Sequence, residues 1–329
     1  MMEKQPRTPM WEVLETAEHV AKKSRHVQIN KQALTRFSRK LLADEIEVPP
    51  WDSLHHFCGH DEDTVSYLLV LDSINFCFWP APGKARWEID YQSNSLSGYY
   101  ALAASLKHSV ESEVPITKAD YLAKLTLSQL KQILGGRGEL PLLKDRVQIL
   151  NEVGQVLLGE YEGQACRLVE AAGNSAVNLV LLLTEKLASF RDVAEYLGSR
   201  VFFYKRAQIF AADLHAAFDG KGWGSFKDID KLTAFADYKL PQVLRHLGIF
   251  DYAEALAQKV DEKIHLDEGS PEEIEIRANT IWAVELIQRE LEQMGKRLRS
   301  IEIDWILWNL GQGMEFRVKP YHRTLTIFY

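Results

Sequence analysis

The sequence predicts a mainly α-helical protein with a small antiparallel sheet, an α+β fold in which helices dominate. Apolar residues recur at spacings of three and four along most of the 329 residues. Strand-like patterns are limited to 76–91 and 323–329. Hydrophobic residues make up 46% of the chain and charged residues 26%, the balance of a folded globular protein with a buried core.

Two amphipathic helices begin the chain. Thr8 and Pro9 suit the N-cap and first position of a helix, and the apolar residues after them repeat at helical spacing. A second helix is expected from Asn30 until the prolines at 49–50 end it. A third, mostly buried helix is expected over 63–76.

A hairpin is predicted after the third helix. The aromatic segment 76–79 leads into a turn-like Pro-Gly-Lys sequence, and the alternation over 85–91 predicts a strand that pairs back onto 76–79. The C-terminal residues 323–329 are β-branched and aromatic, so we expect them to add a strand to this hairpin.

Helical periodicity resumes after the hairpin. It starts at Gly98 and recurs over 126–134, 142–158, 161–171 and 174–188. Thr117 and Asp120 predict an imperfect capping box at an intervening helix. The run Gly-Gly-Arg-Gly at 135–138 lacks the preceding strand and the GK[ST] ending of a phosphate loop, so it predicts a helix C-cap and linker.

Two more helices complete the pattern, one capped by Ser270 and ending at Gly295, the other buried over 301–310. The chain shows no internal repeat, and we expect a single globular unit, 1–329, of two packed helical subdomains. The first subdomain is placed at approximately 1–115, with the hairpin, and the second at 116–329.

Charge and cysteine content restrict the partners and the compartment. Lys and Arg number 39 against 46 Asp and Glu, and the net charge of −7 argues against polymeric nucleic acid as a partner. Three widely spaced cysteines form neither a disulfide framework nor a CxxC pair. No apolar run has the length of a membrane span or signal-peptide core, so a cytoplasmic protein without membrane partners is expected.

The segment His55-His56-Phe57-Cys58-Gly59-His60 has the residue types of a metal site. Adjacent histidines do not point at one ion in regular structure, and no HExxH or CxxC group occurs elsewhere in the chain. We therefore expect no metal. The absence of GxGxxG, GxSxG and Walker sequences likewise disfavours dinucleotide binding, serine hydrolysis and NTP hydrolysis.

Two carboxylates interrupt strongly apolar segments, where either would be costly to bury unpaired. Asp237 precedes a helix expected to begin at Pro241, so a structural acid at the helix N-terminus and a functional acid are equal alternatives. Asp304 lies inside an aromatic helix, and a core salt bridge, for example to Arg277, is the structural alternative.

Lys205 and Arg206 are adjacent cations at the start of an apolar helix. Together they could hold a monophosphate, Arg by its planar fork and Lys as a point charge. The residues alone favour the other interpretation, a solvated basic pair whose aliphatic stems pack on the protein.

Six segments together resemble the queuosine salvage family: NFCFWP (75–80), SGYYAL (97–102), FFYKRAQI (202–209), FKDIDKLTAFADYKLPQVLRHLG (226–248), EIEIRANTIWAVELI (273–287) and PYHRTLTIFY (320–329). The combination of FADY-x-x-PQ with a late I-x-x-D-aromatic-x-x-W is more specific than any short motif. The resemblance implies an architecture similar to the helix-hairpin-helix DNA glycosylases. It also implies hydrolysis of queuosine 5′-phosphate to queuine and ribose 5-phosphate, without metal or redox cofactor.

The resemblance also implies roles for individual residues. Asp304 would be the catalytic carboxylate beside the sugar, with Trp305 next to it. Phe235 and Asp237 would bind the base, and His55 would line the pocket.

Asn309 stands where the family is expected to have a second acid, and its amide can still accept a hydrogen bond from a hydroxyl or ammonium. Queuosine 5′-phosphate and queuine are the expected partners, and the protein is expected to be a monomer. Two alternatives stay open: a helix-hairpin-helix glycosylase of DNA base lesions, and a non-catalytic protein that binds the modified base or tRNA.

Overall fold

The computed structural model describes residues 9–59 and 61–329, so the predicted cap at Thr8 lies outside the described residues. The helices are α1 (Pro9–Lys23), α2 (Lys31–Ala43), α3 (Glu62–Ser73), α4 (Tyr99–Glu111), α5 (Ala119–Leu122), α6 (Leu127–Leu134), α7 (Leu143–Glu160), α8 (Ala165–Ala171), α9 (Ala176–Lys186), α10 (Lys205–Ala217), α11 (Lys239–His246), α12 (Glu254–Asp261), α13 (Pro271–Gln293) and α14 (Ser300–Leu310).

Three two-stranded antiparallel sheets accompany these helices in the described part of the chain. They pair β1 (Val27–Ile29) with β6 (Phe250–Tyr252), β2 (Glu88–Tyr91) with β3 (Asn94–Ser97), and β4 (Val193–Tyr196) with β5 (Ser199–Phe202). The predicted mainly helical class with small antiparallel sheets is confirmed.

The chain forms two compact units, each assembled from several segments. The first unit comprises the residues up to Pro49, Asp192–Gln208 and Asp230–Leu325; the second comprises Pro50–Arg191, Ile209–Ile229 and Thr326–Tyr329. The predicted division of the chain near residue 115 stays a prediction. Among the described residues, no helix combines the length and apolarity that crossing a bilayer requires.

Helix starts follow the capping residues seen in the sequence. The Asn30 side chain accepts a hydrogen bond from the backbone N–H of Ala33, and Ser270 accepts one from Glu273 ahead of a proline at the first helical position. The predicted box at Thr117 is wrong. The single-turn helix α5 is capped at Lys118 without a side-chain bond, and the Thr117 hydroxyl donates to Asp63.

The hairpin pairs differently from the prediction. β2 pairs with β3 through a tight turn at Gln92 and Ser93, both with positive φ, and not with 76–79. The carbonyls of Phe76 and Cys77 instead accept hydrogen bonds from the buried guanidinium of Arg146. The pairing was wrong because a two-residue turn closes locally, whereas the predicted pairing needed a longer loop.

The C-terminal segment is not the expected strand. The Cys77 amide donates a hydrogen bond of 2.9 Å to the Tyr329 carbonyl, so the segment contacts the aromatic residues without forming a ladder with them. Arg323 forms an isolated bridge with His265.

The glycine run at 135–138 ends α6 and continues as a linker, as predicted. Gly136 has a φ of 80°, and a Cβ there would lie 2.3 Å from the Glu88 carbonyl oxygen. Only glycine fits this approach, because the backbones of Arg137 and Glu88 exchange two hydrogen bonds beside it.

The core of the first unit sets the orientation of α14. Ile303, Ile306 and Leu307 of this helix are buried against apolar residues of other helices, among them Val243 of α11 and Ile287 of α13. This packing fixes the rotation of α14 about its axis, and the intervening Asp304 is thereby held below the surface, with 3% of its area exposed.

Candidate active site

Asp304 is buried within α14 and bound by the backbone of a distant loop. Its Oδ2 atom accepts a hydrogen bond of 2.7 Å from the amide nitrogen of Phe235. A backbone N–H donated to a carboxylate is a charge-assisted bond, which stabilises the ionised form where little water can. Arg277, the partner expected for Asp304 in a structural role, pairs with Asp192.

Asp237 caps the start of α11. Its Oδ1 atom accepts hydrogen bonds from the amides of Lys239 and Leu240, 2.7 and 2.9 Å long. Asp237 therefore lies at a helix N-terminus, and the helix begins two residues earlier than expected. This position is compatible with both the structural and the functional interpretation of the acid. Within the described part of the chain both donors contact Oδ1, so Oδ2 can accept hydrogen bonds from a ligand.

Burial dominates the electrostatics of Asp237. It raises the pKa of this carboxyl above its usual value, and the charge of Lys205 and the two backbone amides oppose the rise. Asp237, Lys205 and Phe235 are all buried in the first unit. The buried acid Asp237 and the buried cation Lys205 interact electrostatically, and the Phe235 amide connects this region to the Asp304 carboxylate.

Lys205 and Arg206 are not a solvated pair, and that interpretation is wrong. Both are buried at the start of α10, with 4% and 2% of their area exposed. The apolar helix turns the two side chains inward, and the Lys205 backbone N–H is held by Asp192 Oδ2 at 3.2 Å. Tyr204, just before them, has a φ of 50°, an uncommon conformation for a residue with a side chain.

Trp305 and Asn309 lie on the more exposed side of α14. Trp305 is half-buried, and Asn309, one turn later, is exposed. The Asn309 amide donates to the carbonyl of Trp305 at 2.8 Å. This internal bond uses the amide nitrogen, so the Asn309 side-chain oxygen is the atom that can accept from a ligand.

His55 and His56 belong to the second unit and have different surroundings. His56 is buried, with one ring nitrogen at 2.7 Å from the Asp52 carbonyl and the other at 2.8 Å from the Tyr99 hydroxyl. Burial lowers the pKa of His56 to about 4. Both ring nitrogens are therefore occupied in a structural role.

His55 keeps one ring nitrogen for other contacts among the described residues. Its Nδ1 lies 2.6 Å from Asp52 Oδ2, and its ring centroid is 4.7 Å from that of Tyr100. Burial acts to raise the pKa of Asp52, but the hydrogen bonds from His55 hold it below its usual value. The carboxylate orients the imidazole, so Nε2 of His55 is the atom that can meet a ligand.

Metal ligands do not cluster in the part of the chain that the structure describes: it contains no group of three His, Cys, Asp or Glu residues that could hold an ion. His60 lies outside the described residues.

Two buried groups near the site were missed in the sequence. Asp192 is a single acid in a loop, with no pattern to mark it, and its partner Arg277 is 85 residues away. His322 is 1% exposed, and burial, with the charge of Arg277 adding to it, lowers its pKa to about 3.

Comparisons with known proteins agree on one family. A family model described as queuosine salvage protein matches residues 54–329. A protein of Sphaerobacter thermophilus named queuosine 5′-phosphate N-glycosylase/hydrolase is 46% identical over 317 residues, 96% of this chain and 97% of the relative.

Proteins of the same name from Dictyostelium discoideum and Mus musculus are similar over comparable lengths. The first is 38% identical over 98% of this chain and 99% of its own length, and the second is 37% identical over 96% and 98%. The similarity therefore extends over both units of the fold.

Proposed function

The chain belongs to the queuosine salvage protein family, and on that basis we propose that it is an N-glycosidase that hydrolyses queuosine 5′-phosphate to queuine and ribose 5-phosphate. The observation that carries the proposal is the buried carboxylate of Asp304, held by the amide of Phe235. A carboxylate oriented by a backbone donor in an apolar wall suits the stabilisation of a transient cation.

Asp304 is proposed as the catalytic residue. Cleavage of the bond between C1′ of ribose and the base nitrogen passes through an oxocarbenium-like state, as in glycoside hydrolysis. The Asp304 carboxylate would stabilise this charge or form a transient ester with C1′, which water then hydrolyses. Burial makes its charge more effective than it would be in water, and Trp305 beside it would help exclude solvent.

Phe235 and Asp237 are proposed to bind the base. Queuine is a 7-deazaguanine, so it lacks the imidazole nitrogen that purine hydrolases often protonate, and the leaving base must be stabilised elsewhere. Oδ2 of Asp237 would accept hydrogen bonds from the guanine-type N–H and amino groups. The Phe235 ring would stack on the base.

Lys205 and Arg206 are proposed to hold the phosphate. Their burial supports the idea, because two cations kept out of water gain from a dianionic ligand. Lys205 also acts electrostatically on Asp237, which would tie phosphate binding to base binding. For His55 and Asn309 we propose ligand contacts through Nε2 and the side-chain oxygen.

A helix-hairpin-helix DNA-glycosylase-like arrangement of two packed subdomains is proposed from the family resemblance and is compatible with the mainly helical elements. The protein is proposed to be a cytoplasmic monomer that needs no metal or redox cofactor. The net charge of −7 makes the DNA-lesion glycosylase less favourable, and a buried Asp304 argues against a non-catalytic binding protein.

Mass spectrometry of a reaction with queuosine 5′-phosphate tests the proposal. We expect free queuine and ribose 5-phosphate in equal amounts, with a rate unchanged by a chelator. A lesion-containing DNA duplex should stay intact under the same conditions. Binding of queuine without turnover, or excision of a DNA base, would contradict the proposal in favour of one of the two alternatives.

A further inference from the structure

Arg277 of α13 is a buried side chain whose three guanidinium nitrogens all donate hydrogen bonds. Nη1 and Nη2 donate to the two carboxylate oxygens of Asp192, at 2.9 and 2.6 Å. Nε donates to the backbone carbonyl of Ala236 at 3.1 Å. The guanidinium also lies over the ring of Phe203, 3.9 Å from its centroid.

The carbonyl that Arg277 binds lies between two residues of the candidate site. On one side of Ala236, the Phe235 amide donates to Asp304; on the other, Asp237 is bound to the first amides of α11. Peptide planarity leaves few free dihedral angles between these contacts. Only φ and ψ of Phe235 and of Ala236 separate the two groups, so a donor that holds the Ala236 carbonyl restricts the directions that the Phe235 N–H bond can take.

Asp192, the other member of the pair, holds the start of α10. Its Oδ2 atom accepts from the Lys205 amide, and its carbonyl accepts from the amides of Phe203 and Tyr204, at 3.1 and 3.3 Å. These bonds hold Tyr204 in its left-handed conformation, which places Lys205 at the first position of the helix. One ion pair thus joins the segments that carry Lys205, Phe235, Asp237 and, through Phe235, Asp304.

We propose that Asp192 and Arg277 are positioning residues for the hydrolysis reaction. Arg277 sets the Ala236 carbonyl so that the Phe235 amide points at Asp304, and Asp192 orients Arg277 while holding the Lys205 segment. The expected effect on catalysis rests on the proposed function. A buried ion pair is weak evidence of stability, whereas the fixed fork of arginine is well suited to hold two acceptors at once.

Lysine cannot replace this fork, since an ammonium is a point charge without the planar set of donors. Arg277→Lys keeps the positive charge but loses the simultaneous contacts to Ala236 and Asp192. Misplacement by about one ångström at an active site can cost about 10²-fold in rate. We therefore expect kcat of Arg277→Lys to fall by about 10- to 100-fold.

Arg245 offers a matched control in the same unit. It is also buried and pairs with both oxygens of one carboxylate, Asp261, at 2.6 and 2.9 Å. Among the described residues, its side-chain hydrogen bonds go to Asp261 alone. Arg245→Lys should lose a two-point ion pair to a half-exposed carboxylate and lower the melting temperature, while kcat stays within about threefold of wild type, as expected for an interaction outside the catalytic groups.

A double-mutant cycle tests whether Arg277 acts through Asp304. In an Asp304→Asn background, Arg277→Lys should lower kcat by less than about threefold further, because the group it positions has already lost its charge. Fully additive losses would overturn the proposal, as would an Arg277→Lys enzyme with the kcat of Arg245→Lys.

Hydrogen exchange at the Phe235 amide provides a readout that needs no substrate. Exchange should accelerate by at least about tenfold in Arg277→Lys and stay unchanged in Arg245→Lys, since an amide loses protection when its hydrogen bond opens. Unchanged protection in Arg277→Lys would overturn the proposal. If Arg277→Lys does not fold, Asp192→Asn replaces it, and we again expect a lower kcat and faster exchange of the Phe235 amide. A wild-type protein that releases no queuine would refute the proposed function, and the exchange measurement would still decide the positioning role.

Discussion

The amide nitrogen of Phe235 lies 2.7 Å from Oδ2 of Asp304, a hydrogen bond between residues 69 positions apart in the chain. It joins the loop before α11 to the middle of α14. Because both residues are buried, the bond offsets part of the cost of removing a carboxylate from water.

Asp304→Asn should chiefly lower kcat. The carboxylate charge contributes little to the neutral ground-state sugar and much to the cationic transition state, so its loss affects the chemical step. We expect a decrease of about 10²–10³-fold, with queuine affinity retained. Rates, queuine affinity and melting temperature should be measured together, with Asp261→Asn as a control outside the site. A folded Asp304→Asn protein that binds queuine and turns over at a near-wild-type rate would move the catalytic role to Asp237.

Replacing Lys205 and Arg206 by Met should raise KM for the nucleotide more than for the nucleoside that lacks phosphate. Met is preferred to Ala because both side chains are buried and their stems fill space. We expect a difference of at least about tenfold between the two substrates, the effect of losing one charged hydrogen bond. Equal effects on both substrates would mean that other residues bind the phosphate.

His55→Gln and His56→Gln should have different consequences. His55 has a ring nitrogen available to a ligand, so its replacement should weaken queuine binding by about tenfold with little change in melting temperature. His56 is bound on both sides within the second unit, so its replacement should lower stability by about 1–3 kcal/mol. Calorimetric titration with queuine and thermal unfolding separate the two. If queuine affinity fell in a folded His56→Gln protein and stayed unchanged in His55→Gln, His56 would be the ligand-binding residue and His55 the structural one.

Stability should fall when the pH drops below about 6.5, the usual pKa of histidine. The folded state keeps His56 and His322 neutral, with pKa values lowered to about 4 and 3, so the unfolded chain binds more protons in this range. Each group lowers the free energy of unfolding by up to about 1.36 kcal/mol for each pH unit below 6.5. The loss continues until the pH reaches the pKa of that group in the folded state.

Urea unfolding between pH 7 and pH 4.5 measures this slope. His322→Gln should flatten it, whereas His108→Gln, at an exposed site, should leave it as in the wild type. An identical slope in the wild type and the His322 variant would show that His322 is not kept neutral by the fold.

The sequence by itself determined the helical class and most helix bounds, and it marked Asp304 and Asp237 as acids in apolar segments. Helix periodicity and caps such as Asn30 and Ser270 act within a few residues, so local sequence is sufficient to predict them. Asp304 and Asp237 were detectable for a related reason, because an acid within an apolar run is rare enough to attract attention.

The tertiary structure decided how these segments pair and which charges are buried. The 85–91 strand could pair backward or forward, and the tight turn at 92–93 selected β3. Lys205 and Arg206 could face solvent or the interior, and packing of an apolar helix turned them inward. The Asp192–Arg277 pair joins residues 85 positions apart and the Phe235–Asp304 bond residues 69 apart. Such contacts depend on how whole helices pack, and no local pattern in the sequence encodes their partners.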